Sequence, residues 1–344
     1  MTKNNDLKLS ILDIGTKLKN DNVAMTLQDM TERVKLADTL GFSRYWFAEH
    51  HNSPNQVSTS PELMIAHAAA NTNRIKVGAG GIMMPNHSPL KVVENFSILK
   101  GLHGNRIDLG IGRATGTDPI TALALRRSID AVSNYNFTEE FYEMLYFFDN
   151  KFPDDHRFRY ITPIAKTENE DLIPAIFMLG SSNGGVQFAI EEGLGFVFAA
   201  HINPELAVNT LKRYHDEFRP SENLQSPKGI YSTIVITAET DEEAEYLAGP
   251  VELFWARLQN RDLKSTFASA EEAANHNYSS AEITAKEHNK DRFIIGGIKT
   301  VAEKLRAIAS EAMVDEIMIM EAYPDVASSK KAFELLSEEF NLLK

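Results

Sequence analysis

Cysteine is absent from all 344 residues. That excludes disulfides, thiolate nucleophiles, zinc–thiolate sites and cysteine-ligated iron–sulfur clusters. Positive charge is also in short supply: 35 basic residues face 48 acidic ones, a net charge of −13 that repels phosphate backbones and anionic membranes. Nucleic acid and membrane surfaces are therefore excluded as partners. No uninterrupted apolar run reaches the ~18 residues of a membrane span, and the N-terminal stretch Met-Thr-Lys-Asn-Asn-Asp lacks the apolar core of a signal peptide. The expectation is a cytoplasmic protein. Hydrophobic residues make up 43% and charged ones 24%, which supplies a sizeable core and argues against disorder.

What is present has a rhythm. Eight short apolar, β-favouring runs occur at Leu9 to Ile14, Tyr45 to Phe47, Ile75 to Ile82, Ile107 to Ile111, Ile176 to Leu179, Phe196 to Ala200, Ile230 to Ile236 and Glu316 to Met320. Between them apolar residues return every three or four positions, as in Met30, Val34, Ala37 and Leu40, the spacing of a helix with one buried stripe. Ser60-Pro61, Ser88-Pro89, Asp118-Pro119 and Asn203-Pro204 each pair an N-cap residue with proline at the first helical position. Eight strand–helix units predict an α/β fold, a (β/α)8 TIM barrel, in one domain spanning 1–344. Two excursions break the pattern, 128–173 after the fourth strand and 259–290 after the seventh. The second has few large apolar residues and reads as a mobile lid.

In such a barrel the active site lies at the C-terminal ends of the strands. Five consecutive strand ends carry unusual residues: Glu49-His50-His51-Asn52, Gly80-Gly81 followed by Pro85-Asn86-His87, Gly112-Arg113, Gly180-Ser181-Ser182-Asn183-Gly184-Gly185, and His201. Side chains alternate across an extended strand, so His50 and His51 point to opposite faces and make a poor chelate. No second carboxylate–histidine cluster has metal spacing, so no metal is expected. An imidazole at a pocket mouth suits proton transfer, although it could equally hydrogen-bond a loop.

The 180–185 stretch joins a strand to a helix starting near Gly185. Its backbone N–H groups and hydroxyls suit a phosphate, or form an ordinary turn. Arg113, between Gly112 and Gly116, could clamp that phosphate or make a surface salt bridge. Gly80 and Gly81 leave room for a flat ring, or mark a bulge. His67 and His103 read as packing and helix-dipole residues, and His201 stays open.

The segments GFSRYWFAEHHN, VGAGGIMMPNHSPLKVVENFSIL, GNRIDLGIGRATGTDP and LGSSNGG, in this order, closely resemble the bacterial luciferase-like flavin monooxygenase family, in its single-chain, non-luminescent type. The resemblance runs from Leu9 through FIIGG and DEIMIM. It implies FMN at the strand C-termini, reduced by a separate flavin reductase, with dioxygen oxygenating a small organic substrate. It implies that His50 is the acid–base histidine and that Glu49 and His87 are pocket residues. Arg113 with Gly180, Ser181, Ser182, Asn183 and Gly184 would bind the cofactor phosphate, while Gly80 and Gly81, joined by a cis peptide, would lie beneath the ring. A homodimer is implied as well. Two departures stand out: Gly112 replaces the cysteine of light-emitting members, and Gly296-Gly297-Ile298 replaces the usual Gly-(Thr/Ser)-Pro. A deazaflavin-dependent oxidoreductase and a flavin-binding protein without turnover are the alternatives.

Overall fold

The computed structural model describes residues 7–167, 170–222, 224–262 and 266–344. Nine strands run parallel: β1 (Lys8–Asp13), β2 (Arg44–Phe47), β3 (Lys76–Met83), β4 (Ile107–Gly112), β5 (Ala175–Gly180), β6 (Gly195–Ala199), β7 (Gly229–Ala238), β8 (Phe293–Gly297) and β9 (Glu316–Met320). Eight of them close a barrel, because β7 pairs with β6 on one edge and β9 on the other, and β9 returns to β1. This is the (β/α)8 barrel that the eight apolar runs predict, and each of those runs supplies one barrel strand.

The ninth strand, β8, was not among the expected runs. It pairs with the upper half of β7, from Ile234 to Ala238, beyond the point where β6 ends. Two of its five residues are glycine and a charged 3-10 turn precedes it, so no local signal marks it as a strand. Its pairing with β7 supplies what the sequence pattern did not.

Helix boundaries follow the Ser/Asp/Asn-Pro pairs. Helices Pro61–Ala70, Pro89–His103, Pro119–Arg126 and Pro204–Glu217 all begin on the proline, yet only Asp118 caps with its side chain, accepting from the backbone N–H groups of Ile120 and Thr121. At the other three the fixed φ of proline starts the helix without that hydrogen bond. The first excursion contains helices Ile129–Ser133 and Phe137–Asp149, the latter burying Phe141, Met144, Phe147 and Phe148. After β7 the chain forms helices Asp241–Gln259, Ala270–Ala274 and Ser280–Asn289 before reaching β8. Capping boxes at Ser269/Glu272 and Ser279/Glu282 fix the two shorter helices, and Phe267 packs 5.9 Å from Phe254 between ring centroids. Residues 263–265 of the expected lid lie outside the described residues. No helix among the described residues is long and apolar enough to cross a membrane.

The barrel floor is ionic. Arg44 on β2 donates through Nη1 to Asp108 of β4 (2.6 Å) and through Nε and Nη2 to Glu316 of β9 (2.5 and 3.1 Å). Trp46 Nε1 donates to Asp108 (3.0 Å), and Ser10 donates to Glu316 (2.5 Å). All of these side chains are buried. Burial alone would lower the guanidinium pKa, but the two carboxylates outweigh it and raise it, while Glu316 is lowered by the same contact against the upward pull of burial. Above this layer the interior is apolar, with Trp46 edge-on to Phe177 at 5.1 Å and Leu12, Val197, Ile230 and Met318 around them. Removing the cation would leave two buried carboxylates facing each other. Arg44→Met is expected to cost about 3–5 kcal/mol of unfolding free energy, measured by urea denaturation; a loss below ~1 kcal/mol would show that the floor does not depend on the ion pair.

Candidate active site

Because all the barrel strands run the same way, the loops after β2, β3, β4, β5 and β6 meet at one rim. At the end of β2, Glu49 is 1% exposed and its carboxylate is saturated. Oε1 accepts from His51 Nε2 (2.8 Å) and Asn86 Nδ2 (3.0 Å); Oε2 accepts from the Met83 backbone N–H (2.8 Å) and His87 Nε2 (2.9 Å). Burial pushes the carboxyl up, but the hydrogen bonds from His51, His87 and Met83 outweigh it and bring its pKa down to about 2. Glu49 is thus a fixed anion near neutral pH. Since it only accepts, it fixes the proton of both imidazoles on Nε2. Burial lowers the His87 pKa, and the Glu49 contact more than reverses this, leaving it above its ordinary value of 6.5.

His50, between Glu49 and His51 but beyond the last strand residue Phe47, takes no part in the Glu49 hydrogen bonds. Its backbone N–H donates to the Ser58 carbonyl (2.9 Å), while its side-chain Nδ1 is buried without any hydrogen-bond partner. Burial lowers its pKa; nearby Glu49 opposes this and His51 adds to it. His201, just past β6, is buried too, with Nδ1 3.4 Å from the Ser232 carbonyl. Burial takes its pKa down to about 4, the Ser232 contact opposes this, and the charges of Arg292 and His50 contribute further lowering. Sequence reasoning gave His201 no role; the signal available was its position at a strand end, and burial is what the sequence could not show.

The peptide joining Gly80 and Gly81 is cis, and the β3–β4 ladder slips register between Ala79 and Ile82 around it. Next along the rim stands Arg113. Its guanidinium lies 5.3 Å from the ring centre of Phe137 and 5.6 Å from that of Phe188, and among the described residues it makes no ion pair. A Cβ on Gly184 would lie 2.4 Å from Arg113 Nη1, so the arginine rests directly on this glycine. Gly184 sits in the first turn of helix Asn183–Glu191, which begins two residues earlier than the sequence pattern suggests. The N-cap Ser182 makes no side-chain cap hydrogen bond there. Unpartnered first-turn N–H groups, two serine hydroxyls and an uncompensated guanidinium therefore share one corner, which suits a dianionic phosphate.

Gly112 has its own constraint. A Cβ there would meet Met83 Sδ at 2.5 Å, so the thioether occupies the space a side chain would need. The Gly296-Gly297 loop is tied back to the start of helix Asp241–Gln259, since the Gly297 N–H donates to Asp241 Oδ1 (2.6 Å). Among the described residues no group of three or more His, Asp or Glu side chains is placed to hold a metal ion.

Comparison with known proteins adds independent findings. The family described as luciferase-like monooxygenase matches residues 11–316. Protein YceB of Bacillus subtilis (strain 168) is 37% identical over 337 residues, covering 97% of this chain and 99% of that protein. A luciferase-like monooxygenase of Escherichia coli (strain K12) is 31% identical over 329 residues, covering 96% of each chain. Among solved structures, apo-MsnO8 superposes with a TM-score of 0.85 at 28% identity and 99% coverage of both chains. The oxygenating constituent of 3,6-diketocamphane monooxygenase from Pseudomonas putida, solved with FMN, shares the fold at TM-score 0.71 and 20% identity, covering 97% of each chain. So does the coenzyme F420-dependent tetrahydromethanopterin reductase of Methanopyrus kandleri, at TM-score 0.65 and 17% identity, covering 97% of this chain and 98% of that one.

The Glu49 cluster has a pH signature. His87 has a raised pKa, so its pair with Glu49 contributes fully below pH 6.5 and is lost as pH rises through the folded value. Glu49 itself is lowered from 4.5, so its contribution is present above that value and disappears as pH falls toward 2. The melting-temperature deficit of Glu49→Gln should therefore be larger at pH 6 than at pH 9. An equal deficit at both would show that His87 does not pair with the carboxylate.

Proposed function

The chain belongs to the luciferase-like monooxygenase family, and from that premise we propose that it is an FMN-dependent monooxygenase oxygenating a small organic substrate. The observation that carries the proposal is the Arg113 corner: a guanidinium stacked on two phenylalanines, without a carboxylate, lying on Gly184 at an open helix start. A structural arginine at that place would be expected to have an acidic partner. This one has its charge free for a ligand.

The residues present fit a flavin phosphate. Arg113, Ser181, Ser182 and the N–H groups of Asn183 and Gly184 would hold it, with the Gly80-Gly81 segment beside the ring. Reduced flavin, when bound, supplies the electrons that activate dioxygen for transfer of one oxygen atom to an organic molecule. The chain's own part is to bind, to exclude water and to manage a proton. His50 Nδ1, buried and without a partner, is the atom poised to exchange that proton. Its depressed pKa keeps the imidazole neutral, and therefore able to accept, at pH values where an exposed histidine is charged. Glu49 takes no proton in this reading; it orients His51 and His87 beside the site. A separate flavin reductase, a homodimeric assembly and a cytoplasmic setting complete the proposal, and these three rest on the family resemblance.

Titration of the purified protein with FMN, followed by visible absorption, tests the cofactor; a parallel titration with a deazaflavin tests the competing one. Arg113→Ala is expected to weaken FMN about 10- to 100-fold, the loss of a charge-assisted contact. Unchanged affinity, or tighter binding of the deazaflavin, would reject the reading. His50→Ala should keep FMN affinity but slow substrate-coupled oxygen consumption about 10²- to 10⁴-fold. In the wild-type enzyme kcat/KM should fall on the acid side with an apparent pKa below 6.5.

A further inference from the structure

On the far side of the rim from the Arg113 corner lies a cavity of about 860 Å³. Its walls come from the loop after β1, which contributes Lys19, and from the segment after β7, which contributes Arg257, Thr266, Glu272, Asn275, His276 and Asn277. Leu253 and Ala268 add apolar surface. Both segments follow strand C-termini, so the cavity opens on the same end of the barrel as His50 and Gly80. None of the residues at the phosphate corner lines it.

The charges in this cavity do not balance. Lys19 is paired with Glu272, and His276 Nε2 contacts Glu282 Oε1 at 3.0 Å. Arg257, half-buried in the last turn of helix Asp241–Gln259, has no ion pair and no side-chain hydrogen bond among the described residues. The carboxylate on the cavity wall, Glu272, is taken by Lys19, and the remaining polar groups there are the amides of Asn275 and Asn277, the Thr266 hydroxyl and the His276 ring. An unmatched guanidinium on a cavity wall, in a protein with a net charge of −13, is a place where a counter-charge from outside can be received.

We propose that this cavity receives a small organic anion, a carboxylate or a sulfonate, with Arg257 as its counter-charge and the Asn277 and Thr266 side chains as additional polar contacts. Resting on the flavin-dependent reading above, the anion is the molecule that is oxygenated: its charged end is anchored at Arg257 and its apolar portion extends toward the barrel mouth. The net negative charge of the protein disfavours anions over most of its surface, and Arg257 is distinguished from the Arg113 corner by the apolar wall that Leu253 and Ala268 place beside it.

The probes are hexanoate, hexane-1-sulfonate and the neutral hexanamide, titrated into flavin-free protein. Isothermal titration calorimetry is the readout, because neither tryptophan lines the cavity. Both anions are expected to bind at least tenfold more tightly than hexanamide. Arg257→Gln should abolish that preference, Arg257→Lys should retain most of it, and an unchanged melting temperature should show that the fold is intact. Equal binding of hexanoate and hexanamide, or an anion preference that survives in Arg257→Gln, would overturn the inference. Because FMN affinity is measured separately, the two failures are distinguishable. Anion binding without FMN binding would overturn the assignment of the anion as oxygenation substrate, and FMN binding without anion preference would overturn the Arg257 site alone.

Discussion

Strand β7 is asked to satisfy two partners at once: β6 along Gly229 to Ser232 and β9 along Tyr231 to Ile234. Only when both edges are paired does the parallel ladder close, and only a closed parallel ladder brings every C-terminal strand end to one rim. The buried Arg44, shared by Asp108 and Glu316, ties β2, β4 and β9 together beneath that rim. Closure and floor are thus two expressions of one constraint. The site exists because the strands cannot leave their loops anywhere else.

At the rim the environment sorts chemically similar groups into different roles. Glu49 and His50 are adjacent in sequence, yet the carboxylate receives four donors and is held ionised, while the imidazole is buried with a nitrogen unsatisfied and is held neutral. Pushing neighbouring pKa values apart is how a protein separates a structural charge from a proton-exchanging group. His201 joins the neutral set through burial. The rim thus carries a fixed negative charge at Glu49 beside two buried imidazoles whose pKa values burial lowers.

The two unmatched arginines divide the rim in a similar way. Arg113 is presented by aromatic rings beside a helix start, a setting for a compact polyanion. Arg257 stands in a cavity whose other charges, Lys19 and Glu272, pair with each other, among amides, a hydroxyl and some apolar surface, a setting proposed for a single negative charge on an organic body. Neither arginine has an acidic partner among the described residues, and it is on that shared feature that the phosphate and anion proposals both rest.

Much of this was legible in the chain. The eight apolar runs became the eight barrel strands, and the four proline-led helix starts fell where they were read, because period and proline geometry act over a few residues. The expected separation of His50 from His51 falls past the end of β2 at Phe47, and His51 but not His50 bonds Glu49. β8 escaped notice, since a glycine-rich pentapeptide becomes a strand only when β7 offers it an edge. The Arg44 floor escaped as well: its partners lie 64 and 272 residues away. The sequence by itself determined which segments are strands, which are helices and where polar residues interrupt them, for those are properties of neighbours along the chain. Which carboxylate is saturated, which imidazole is left without a partner, and which arginine stands unmatched were decided only by the tertiary structure, because burial and charge pairing depend on groups that meet through space.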